Sequence, residues 1–439
     1  MNIAIVGAGI AGLTTARLLN DDHQVTVFEA DNRIGGHTNT IDVETDQGHF
    51  AIDTGFIVFN DRTYPNFITL MDELGVASQK TIMSFSVKCG LTGLEYRGAD
   101  PQGLFAQRRN LVNPTFYRLL YDLVRFNKCG NRLLEQHEAS GTVAEETVGS
   151  FLDRHKFSQT FINQYFLPMG AAIWSASFDS FRDFPIQFIC EFYKNHGLLG
   201  ITDRPQWRVI EGGSRSYLAP LTASFSDRIR TSSPIREIRR NTEKAGQRSD
   251  FPGSVTGGNI ELLVEGESEF QSFDHVVFAC HSDQALRILG DQATSPEREI
   301  LSAFPYQPNT AVLHTQHDVL PATRRAWASW NYYNPVEPTE SATVTYNMNI
   351  LQSIESETVF CVTLNDNDRI REENIIGSWQ YHHPTFNVKR TEMQLRHDEV
   401  LNVNSTSFCG AYWGNGFHED GVNSALAVAK KLQRVPALC

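Results

Sequence analysis

The first thirty residues constrain the fold of this chain more than any other segment. Ile3–Val6 is an apolar run that predicts a buried strand, and a glycine-rich turn from Gly7 to Gly12 follows it directly. Residues 11–20 then show apolar helical periodicity, and Gln24–Phe28 predicts a second strand that ends on Glu29. A strand, a G-x-G-x-x-G turn, a helix, a strand and an acid in this order predict a dinucleotide-binding unit.

Each part of this unit has its own expected task. Gly7 allows the tight turn, Gly9 lets a pyrophosphate approach the backbone, and Gly12 lets the helix pack closely on the strand. The free N–H groups at the helix start favour phosphate oxygens. Glu29 is expected to accept both hydroxyls of the adenosine ribose. The alternative, a tight glycine turn without a ligand, does not explain the flanking strands and the acid.

A second glycine pair sharpens the prediction. Arg33, Gly35 and Gly36 form an R-x-G-G segment just after Glu29, and Thr40 follows it. The segment resembles the extended signature of the flavin-containing amine oxidase superfamily, which implies FAD as the cofactor. Gly35 and Gly36 would then let the chain cross the pyrophosphate from its far side, and Arg33 could neutralise it. The sequence departs from the superfamily at position 37, where histidine stands in place of the usual arginine.

The C-terminal region resembles the same superfamily. Residues 408–432 begin as a strand and end as a helix, and in relatives this strand and helix close the FAD site. The resemblance implies that the backbone of Gly421 and Val422 faces the flavin pyrimidine ring at the helix N-terminus. Ala411 stands where relatives have an acid after the strand glycine, so Asp420 is expected to make the ribityl contact instead. An ordinary terminal helix capped by Asp420 is the alternative.

Weaker matches extend the resemblance over nearly the whole chain. They are Ile52–Phe56, Ile210–Ser214 and His275–His281, with Ile235 and Ile238 on a strand expected near adenine. Within the superfamily, the chain most resembles bacterial predicted FAD oxidoreductases associated with cyclopropane and methyl-branched fatty acid synthesis. The marks of this group are residues 35–40, 84–86, 196–199, 204–207, 281–286 and 416–421.

The resemblance implies a set of cofactor contacts by position. They are Gly7, Gly9, Ile10, Ala11, Gly12, Glu29, Ala30, Arg33, Gly35, Gly36, His37, Thr38, Thr40, Thr54, Gly55, Phe56, Ile235, Ala279, Gly410, Asp420, Gly421 and Val422. We expect the FAD to be non-covalent, because Cys409 lies inside the predicted strand and no other Cys or His is well placed for a covalent link.

Composition excludes several classes of protein. A net charge of −13 over 439 residues argues against nucleic acid as a partner and against general adhesion to anionic lipid. The seven cysteines lack C-x-x-C spacing, which indicates reduced thiols in a cytoplasmic protein. We expect no metal site, no signal peptide and no membrane-spanning segment, whereas a peripheral membrane contact stays open.

The order of the segments predicts interleaved domains of an α/β, amine-oxidase-like fold. Residues 1–64, 205–282 and 400–439 would form a Rossmann-type FAD domain with a parallel sheet. Residues 65–204, expected to be helical, and 283–399, expected to form an antiparallel sheet, would build an α+β substrate domain. The polar stretch 243–259 predicts a hairpin loop.

The substrate is less constrained than the cofactor. Tyr412 and Trp413 could form the aromatic wall that amine oxidation needs, or could equally be core residues. His418 and Glu419 are the candidate acid–base residues because they precede the flavin-facing helix, although His418 could also be an ordinary loop histidine. The segment 301–387 carries no lysine, and this disfavours standard amine chemistry.

Phenylalanine-rich helices could line an acyl tunnel, although such stripes more often form core. The sequence therefore predicts an FAD-dependent oxidoreductase that takes hydride from a lipid acyl chain. The alternatives are an amine oxidase, a redox-neutral fatty acid isomerase, a binding protein on the same fold, and a flavin-bearing partner of a lipid-modifying methyltransferase. The intact glycine motifs argue against the binding protein.

Overall fold

The computed structural model describes residues 1–140, 146–174, 178–200, 204–240, 260–336, 343–366 and 368–433. The polar stretch 243–259, for which the sequence predicts a hairpin loop, lies outside these residues. The strands in chain order are β1 Asn2–Val6, β2 Gln24–Phe28, β3 Thr40–Thr45, β4 Gly48–Asp53, β5 Phe59–Asn60, β6 Ser78–Lys80, β7 Phe85–Cys89, β8 Glu95–Arg97, β9 Trp207–Ile210, β10 Ile229–Arg230, β11 Ile235–Arg240, β12 Ile260–Val264, β13 Gln271–Phe273, β14 His275–Phe278, β15 Tyr306–His314, β16 Trp330–Asn334, β17 Thr343–Asn347, β18 Cys361–Leu364, β19 Ile375–Pro384 and β20 Thr406–Phe408.

Helices connect and cover these strands. They are α1 Ile10–Leu19, α2 Pro65–Glu73, α3 Pro101–Leu104, α4 Pro114–Ser140, α5 Val148–Arg154, α6 Gln159–Phe161, α7 Leu167–Trp174, α8 Phe178–Arg182, α9 Ile186–Asn195, α10 Leu218–Thr222, α11 Ser282–Leu289, α12 Ser295–Leu301, α13 Met348–Leu351, α14 Val388–Gln394 and α15 His418–Leu432. No helix of the described ranges has the length and apolarity needed to cross a bilayer.

A parallel five-stranded sheet carries the glycine-rich turn. Its strand order is β10-β2-β1-β14-β20, and β1 pairs with β2 and β14 in parallel register. The four residues Ile3, Ile5, Val25 and Val27 are fully buried, which explains the apolar runs seen in the sequence. Because the strands are parallel, their carboxyl ends meet at one edge, where ligands bind in such sheets. The predicted Rossmann-type sheet is therefore confirmed.

A seven-stranded sheet of mixed direction forms the second layer, in the order β19-β15-β18-β17-β16-β7-β8. Its pairings are antiparallel except for β16 with β7, which is parallel. The sequence predicts the strands near 309–315, 326–332, 342–350 and 359–364, and four strands lie there with shifted ends. The stretch 65–204 is not wholly helical, because β7 and β8 extend this sheet and β6 pairs with β9.

The long helix α4 begins where Asn113-Pro114 predicts it and packs Phe116 and Leu119 into the interior. Helical periodicity predicts that Phe116, Leu119, Leu120, Leu123 and Val124 share one buried face. For Val124 this prediction is wrong, because the residue is 42% exposed. Position 124 is one residue beyond the buried stripe and falls on the outer face of the helix. The boundaries between FAD domain and substrate domain stay a prediction.

Candidate functional site

Two glycine turns lie against each other at the carboxyl edge of the parallel sheet. The N–H of Gly35 donates to Ala8 O at 2.8 Å, and Gly9 pairs with Gly35 in an isolated parallel bridge. A Cβ on Gly9 would meet no atom within 4 Å, whereas one on Gly12 would lie 2.0 Å from Gly7 O. Gly12 therefore permits the close packing of α1, and Gly9 faces open space beside the helix start.

Two helix N-termini converge on this open space. A Cβ on Gly421, in the first turn of α15, would lie 2.8 Å from Ile10 Cγ2 in the first turn of α1. The first turn of α1 has no acidic residue, and no side chain caps its N-terminus. Its N–H groups and partial positive charge are thus available to an anion. Val422 is buried in the same apolar cluster as Ile10.

The acid after β2 and the arginine of the second turn hold the two turns together. Glu29 accepts the N–H of Ala8 at 2.7 Å and that of Asp31 at 2.9 Å. Arg33 donates to Thr38 O at 3.1 Å and to Gly36 O at 2.9 Å. Arg33 therefore has a structural role besides the expected neutralisation of a pyrophosphate. Its guanidinium links the backbone carbonyls of Gly36 and Thr38 within the R-x-G-G turn.

His37 lies in a cluster of rings next to these glycines. Its ring centroid is 5.1 Å from that of Tyr381, 5.5 Å from that of His383 and 6.3 Å from that of His281. Burial lowers the pKa of His37 to about 4 and the pKa values of His281 and His383 to about 3. The Nε2 atom of His37 is buried without a hydrogen-bond partner. These imidazoles are neutral at physiological pH, and an orphaned polar atom there fits a polar ligand group.

A second ring stack surrounds His418, the first residue of α15. Its ring lies on Phe56, with centroids 3.5 Å apart and an interplanar angle of 13°. His418 Nε2 lies 3.0 Å from Thr38 Oγ1 and 3.2 Å from Tyr217 Oη, and these two oxygens also contact each other. Burial holds the pKa of His418 well below its ordinary value. His418 is therefore a neutral, hydrogen-bonded imidazole placed by residues from three separate segments.

The two acids after His418 are engaged with backbone groups. Glu419 accepts the N–H of Asn66 at 3.1 Å and that of Phe67 at 2.8 Å, at the start of α2. Asp420 accepts the N–H of Phe417 at 2.8 Å and closes the loop before α15. Burial raises the pKa of Asp420 to about 6. Both carboxylates thus have structural partners of their own.

Tyr412 and Trp413 pack into a separate apolar cluster. The Tyr412 ring lies 5.0 Å from the Phe304 ring, and Trp413 stacks on His397 with centroids 3.7 Å apart. Tyr412 is 3% exposed. These positions favour core packing over the aromatic wall that the sequence suggests.

The remaining predicted residues fall into the walls and supports of the site. Thr40 Oγ1 donates to Asp53 at 2.6 Å, and burial raises the pKa of Asp53 to about 6. Thr54 Oγ1 and Tyr381 Oη lie 2.9 Å apart. A Cβ on Gly55 would lie 2.1 Å from His37 O, so this glycine permits close backbone approach.

Four further predicted residues lie on sheet strands or within two residues of the end of a strand. Ala279 N donates to Val6 O at 2.8 Å, and Gly410 N donates to Ser424 Oγ at 2.8 Å. Ile235 begins β11 and pairs with Val264. Ala30 lies between Glu29 and Asp31 in the chain, and the Glu29 carboxylate accepts the N–H of Asp31 across it.

Sequence reasoning missed Tyr217 and Tyr381, which complete the two polar networks. Tyr381 Oη lies 3.0 Å from Asn39 Nδ2 as well as beside Thr54. Neither tyrosine lies in a recognisable motif. The His382-His383 doublet is the nearest sequence signal, but two adjacent residues on a strand point to opposite faces of the sheet, so the doublet by itself does not predict a shared site.

The comparisons with known proteins agree with this geometry. The family described as "Flavin containing amine oxidoreductase" matches residues 10–432. Among solved structures, a putrescine oxidase double mutant has a TM-score of 0.65 at 13% identity, with 98% of each chain covered. A putative protoporphyrinogen oxidase from Exiguobacterium sp. 255-15 has a TM-score of 0.65 at 16% identity, again with 98% of each chain covered. A fatty acid isomerase from P. acnes that produces CLA has a TM-score of 0.63 at 14% identity and the same coverage.

Curated relatives match over short segments. An L-amino-acid oxidase of Siganus canaliculatus is 58% identical over 40 residues, which are 9% of this chain and 8% of that protein. A 4,4'-diapophytoene desaturase of Staphylococcus aureus (strain Newman) is 45% identical over 42 residues, 9% of this chain and 8% of that protein. These matches span less than a tenth of each relative, so they carry no assignment of substrate.

Proposed function

The chain belongs to the flavin-containing amine oxidoreductase family, and within this class of flavin-dependent oxidoreductase we propose that it takes hydride from a lipid acyl chain, using FAD bound non-covalently. The observation that carries the proposal is the position of Phe417. This residue precedes the neutral His418 and packs both against the core of the parallel sheet and against the phenylalanine-rich cluster of the helices.

The described residues fit an FAD molecule. The open space at Gly9, the two converging helix starts and the unpartnered Nε2 of His37 provide a phosphate cradle lined by donors. Glu29 lies at the end of β2, where a ribose would be recognised. Non-covalent binding is supported by Cys409, because burial raises the pKa of its thiol to about 12 and disfavours the nucleophilic thiolate.

When bound, the flavin supplies the acceptor for the hydride and its two electrons. We assign the proton to His418: as hydride leaves one carbon, the neighbouring carbon loses its proton to the imidazole, and a carbon–carbon double bond forms. Thr38 Oγ1 and Tyr217 Oη lie within hydrogen-bond distance of His418 Nε2 and hold the imidazole in place. Glu419 acts as a positioning residue, because both of its oxygens are used at the start of α2.

An acyl chain suits the apolar side of His418. The ring of Phe417 stacks on Phe192 with centroids 5.6 Å apart, and the cluster continues through Trp174 to Phe386. A fatty acid isomerase is among the proteins with a similar fold, and this is consistent with an acyl substrate. The resemblance of residues 35–40 and 416–421 to FAD oxidoreductases associated with cyclopropane and methyl-branched fatty acid synthesis extends the proposal to methyl-branched or cyclopropane fatty acyl lipids.

Anaerobic mixing of the flavin-loaded protein with lipids and amines tests this proposal. Methyl-branched and cyclopropane acyl lipids of graded chain length are the test set, and putrescine and cyclohexylamine are the controls. We expect the flavin absorption to bleach with the lipids at a rate that depends on chain length.

Bleaching with the amines alone would overturn the proposal in favour of amine oxidation. A rearranged lipid without net bleaching would indicate a redox-neutral isomerase. If neither bleaching nor a product were observed, the flavin would have a structural role, as in a partner of a lipid-modifying methyltransferase.

A further inference from the structure

The start of α4 combines cations and exposed apolar side chains. Residues 108–132 contain six arginines and lysines and one acid, a net charge of +5 in a chain of net charge −13. The acid, Asp122, is buried and pairs with Arg118 at 3.0 Å and Arg125 at 3.4 Å. Among the described residues, Arg108, Lys128 and Arg132 have no carboxylate within 4.0 Å.

Large apolar side chains lie between these cations. Leu111, Val112, Tyr117, Tyr121 and Val124 are between 42% and 84% exposed. Residues 117, 121, 124 and 128 follow helical spacing, so Tyr117, Tyr121, Val124 and Lys128 share one face, which we call the outer face of α4. Exposed apolar patches of this kind mark interaction sites in soluble domains.

A neighbouring hairpin extends the surface. Gln107 Nε2 donates to Gly93 O at 2.9 Å, and Arg109 donates to the same oxygen. The hairpin between β7 and β8 is thereby fixed beside residues 107–109, and its Leu91 is 73% exposed. The apolar side chains thus come from two rigidly connected segments.

We propose that this surface, the outer face of α4 with residues 108–112 and Leu91, docks the protein on an anionic phospholipid bilayer. Tyrosines and aliphatic side chains interleaved with arginine and lysine suit the boundary between headgroups and acyl chains. A nucleic acid would pair the cations but would leave Leu111 and Val112 in water. The acidic remainder of the chain is repelled by the same bilayer, and this orients the molecule. The inference does not depend on the nature of the substrate.

Vesicle flotation with the full-length, flavin-loaded chain tests the proposal. The vesicles contain phosphatidylcholine with or without phosphatidylglycerol. We expect flotation with phosphatidylglycerol, and a large loss of bound protein at about 1 M salt, where the Debye length is about 3 Å.

Two variants separate the two contributions. Tyr117→Ser/Tyr121→Ser/Val124→Ser removes the apolar side chains of the outer face, and Arg108→Glu/Lys128→Glu/Arg132→Glu reverses three cations. Each is expected to reduce binding about tenfold or more, because the first loses the apolar contact with the acyl boundary and the second loses the attraction of the cations to anionic headgroups. The matched control is Arg236→Glu/Arg325→Glu/Lys389→Glu, which changes the net charge equally on other exposed side chains.

Two results would overturn the proposal. One is that the wild-type chain floats with neither vesicle. The other is that the control variant loses as much vesicle binding as the surface variants, which would show that net charge alone determines binding. Retention on heparin that survives the Tyr/Val replacements, without flotation, would assign the surface to an acidic macromolecule instead.

Discussion

Gly9 gives the most direct test of the cofactor cradle at the scale of a single residue. Its φ of −78° is accessible to any residue, and a side chain would enter space that the protein itself leaves open. We predict that Gly9→Val folds but retains no FAD, because the new side chain occupies the place of the pyrophosphate. Absorbance of the purified variant after incubation with FAD measures this.

The control for this variant is Gly98→Val, an exposed position where the nearest atom to a new Cβ is 3.9 Å away. It should keep its flavin and melt as the wild type does. A yellow, stoichiometrically loaded Gly9→Val would contradict the assignment of the cradle.

His418 gives the second residue-scale prediction. Replacement by alanine should slow flavin reduction by about 10²–10⁴-fold, the usual contribution of a general base, without loss of FAD. Burial holds the pKa of His418 well below its ordinary value, so the imidazole stays neutral. The rate of flavin reduction in the wild type should therefore not change with pH through titration of His418 between about pH 6 and 8. Stopped-flow reduction across pH measures both, and an unchanged rate in the variant would remove His418 from the mechanism.

At the scale of elements, Glu419 joins the start of α15 to the start of α2. We predict that Glu419→Ala lowers the free energy of unfolding by about 1–3 kcal/mol, because two backbone N–H groups lose their acceptor. Glu419→Gln keeps an acceptor oxygen and should recover part of this stability while reducing flavin at nearly the wild-type rate. A Gln variant that is as stable as the wild type but about 10²-fold slower would show a catalytic carboxylate instead.

An element could be predicted from the sequence when a pattern of a few consecutive residues marks it. The strands β1 and β14 and the turn after β1 were predictable because buried runs and glycine spacing lie within a few residues. The strand β19 has exposed and half-buried residues along most of its length, so no apolar run marks it. The contacts of Tyr217 and Tyr381 with the site join residues more than 150 positions apart, and no local pattern encodes such a contact.

At the scale of the whole molecule, buried histidines set the response to acid. Burial lowers the pKa values of seven of them to about 3 or 4. They are His37, His196, His275, His281, His314, His383 and His397. Unfolded histidine binds its proton near pH 6.5, so below this pH the unfolded state takes up protons that the folded state refuses, and stability falls.

Asp53 and Asp420 act in the opposite direction, because their raised pKa values of about 6 let the folded state bind protons first as the pH falls. The histidines outnumber them. We predict that the apoprotein loses stability between about pH 6.5 and pH 4, with each histidine contributing up to about 1.4 kcal/mol per pH unit. Denaturant unfolding at several pH values measures this. His275→Asn should flatten the slope by about one proton, and a stability that rises toward acid would contradict the prediction.

The interleaving of segments also belongs to the scale of the whole molecule. The glycine turns, the loop at Phe56, Tyr217 and the start of α15 come from distant parts of the chain and meet at one edge of the parallel sheet. A site built in this way holds its cofactor only when all these segments are folded together. Flavin retention therefore reports on the assembly of the entire molecule.

The measurement that tests the central claim most directly is the absorption spectrum of the purified full-length protein before and after acid denaturation. We predict a flavin spectrum with about one FAD per chain, and its transfer to the supernatant when the protein is precipitated, as the proposed non-covalent binding requires. A protein that stays colourless even after incubation with FAD would contradict the claim that these glycine turns and helix starts form a flavin site.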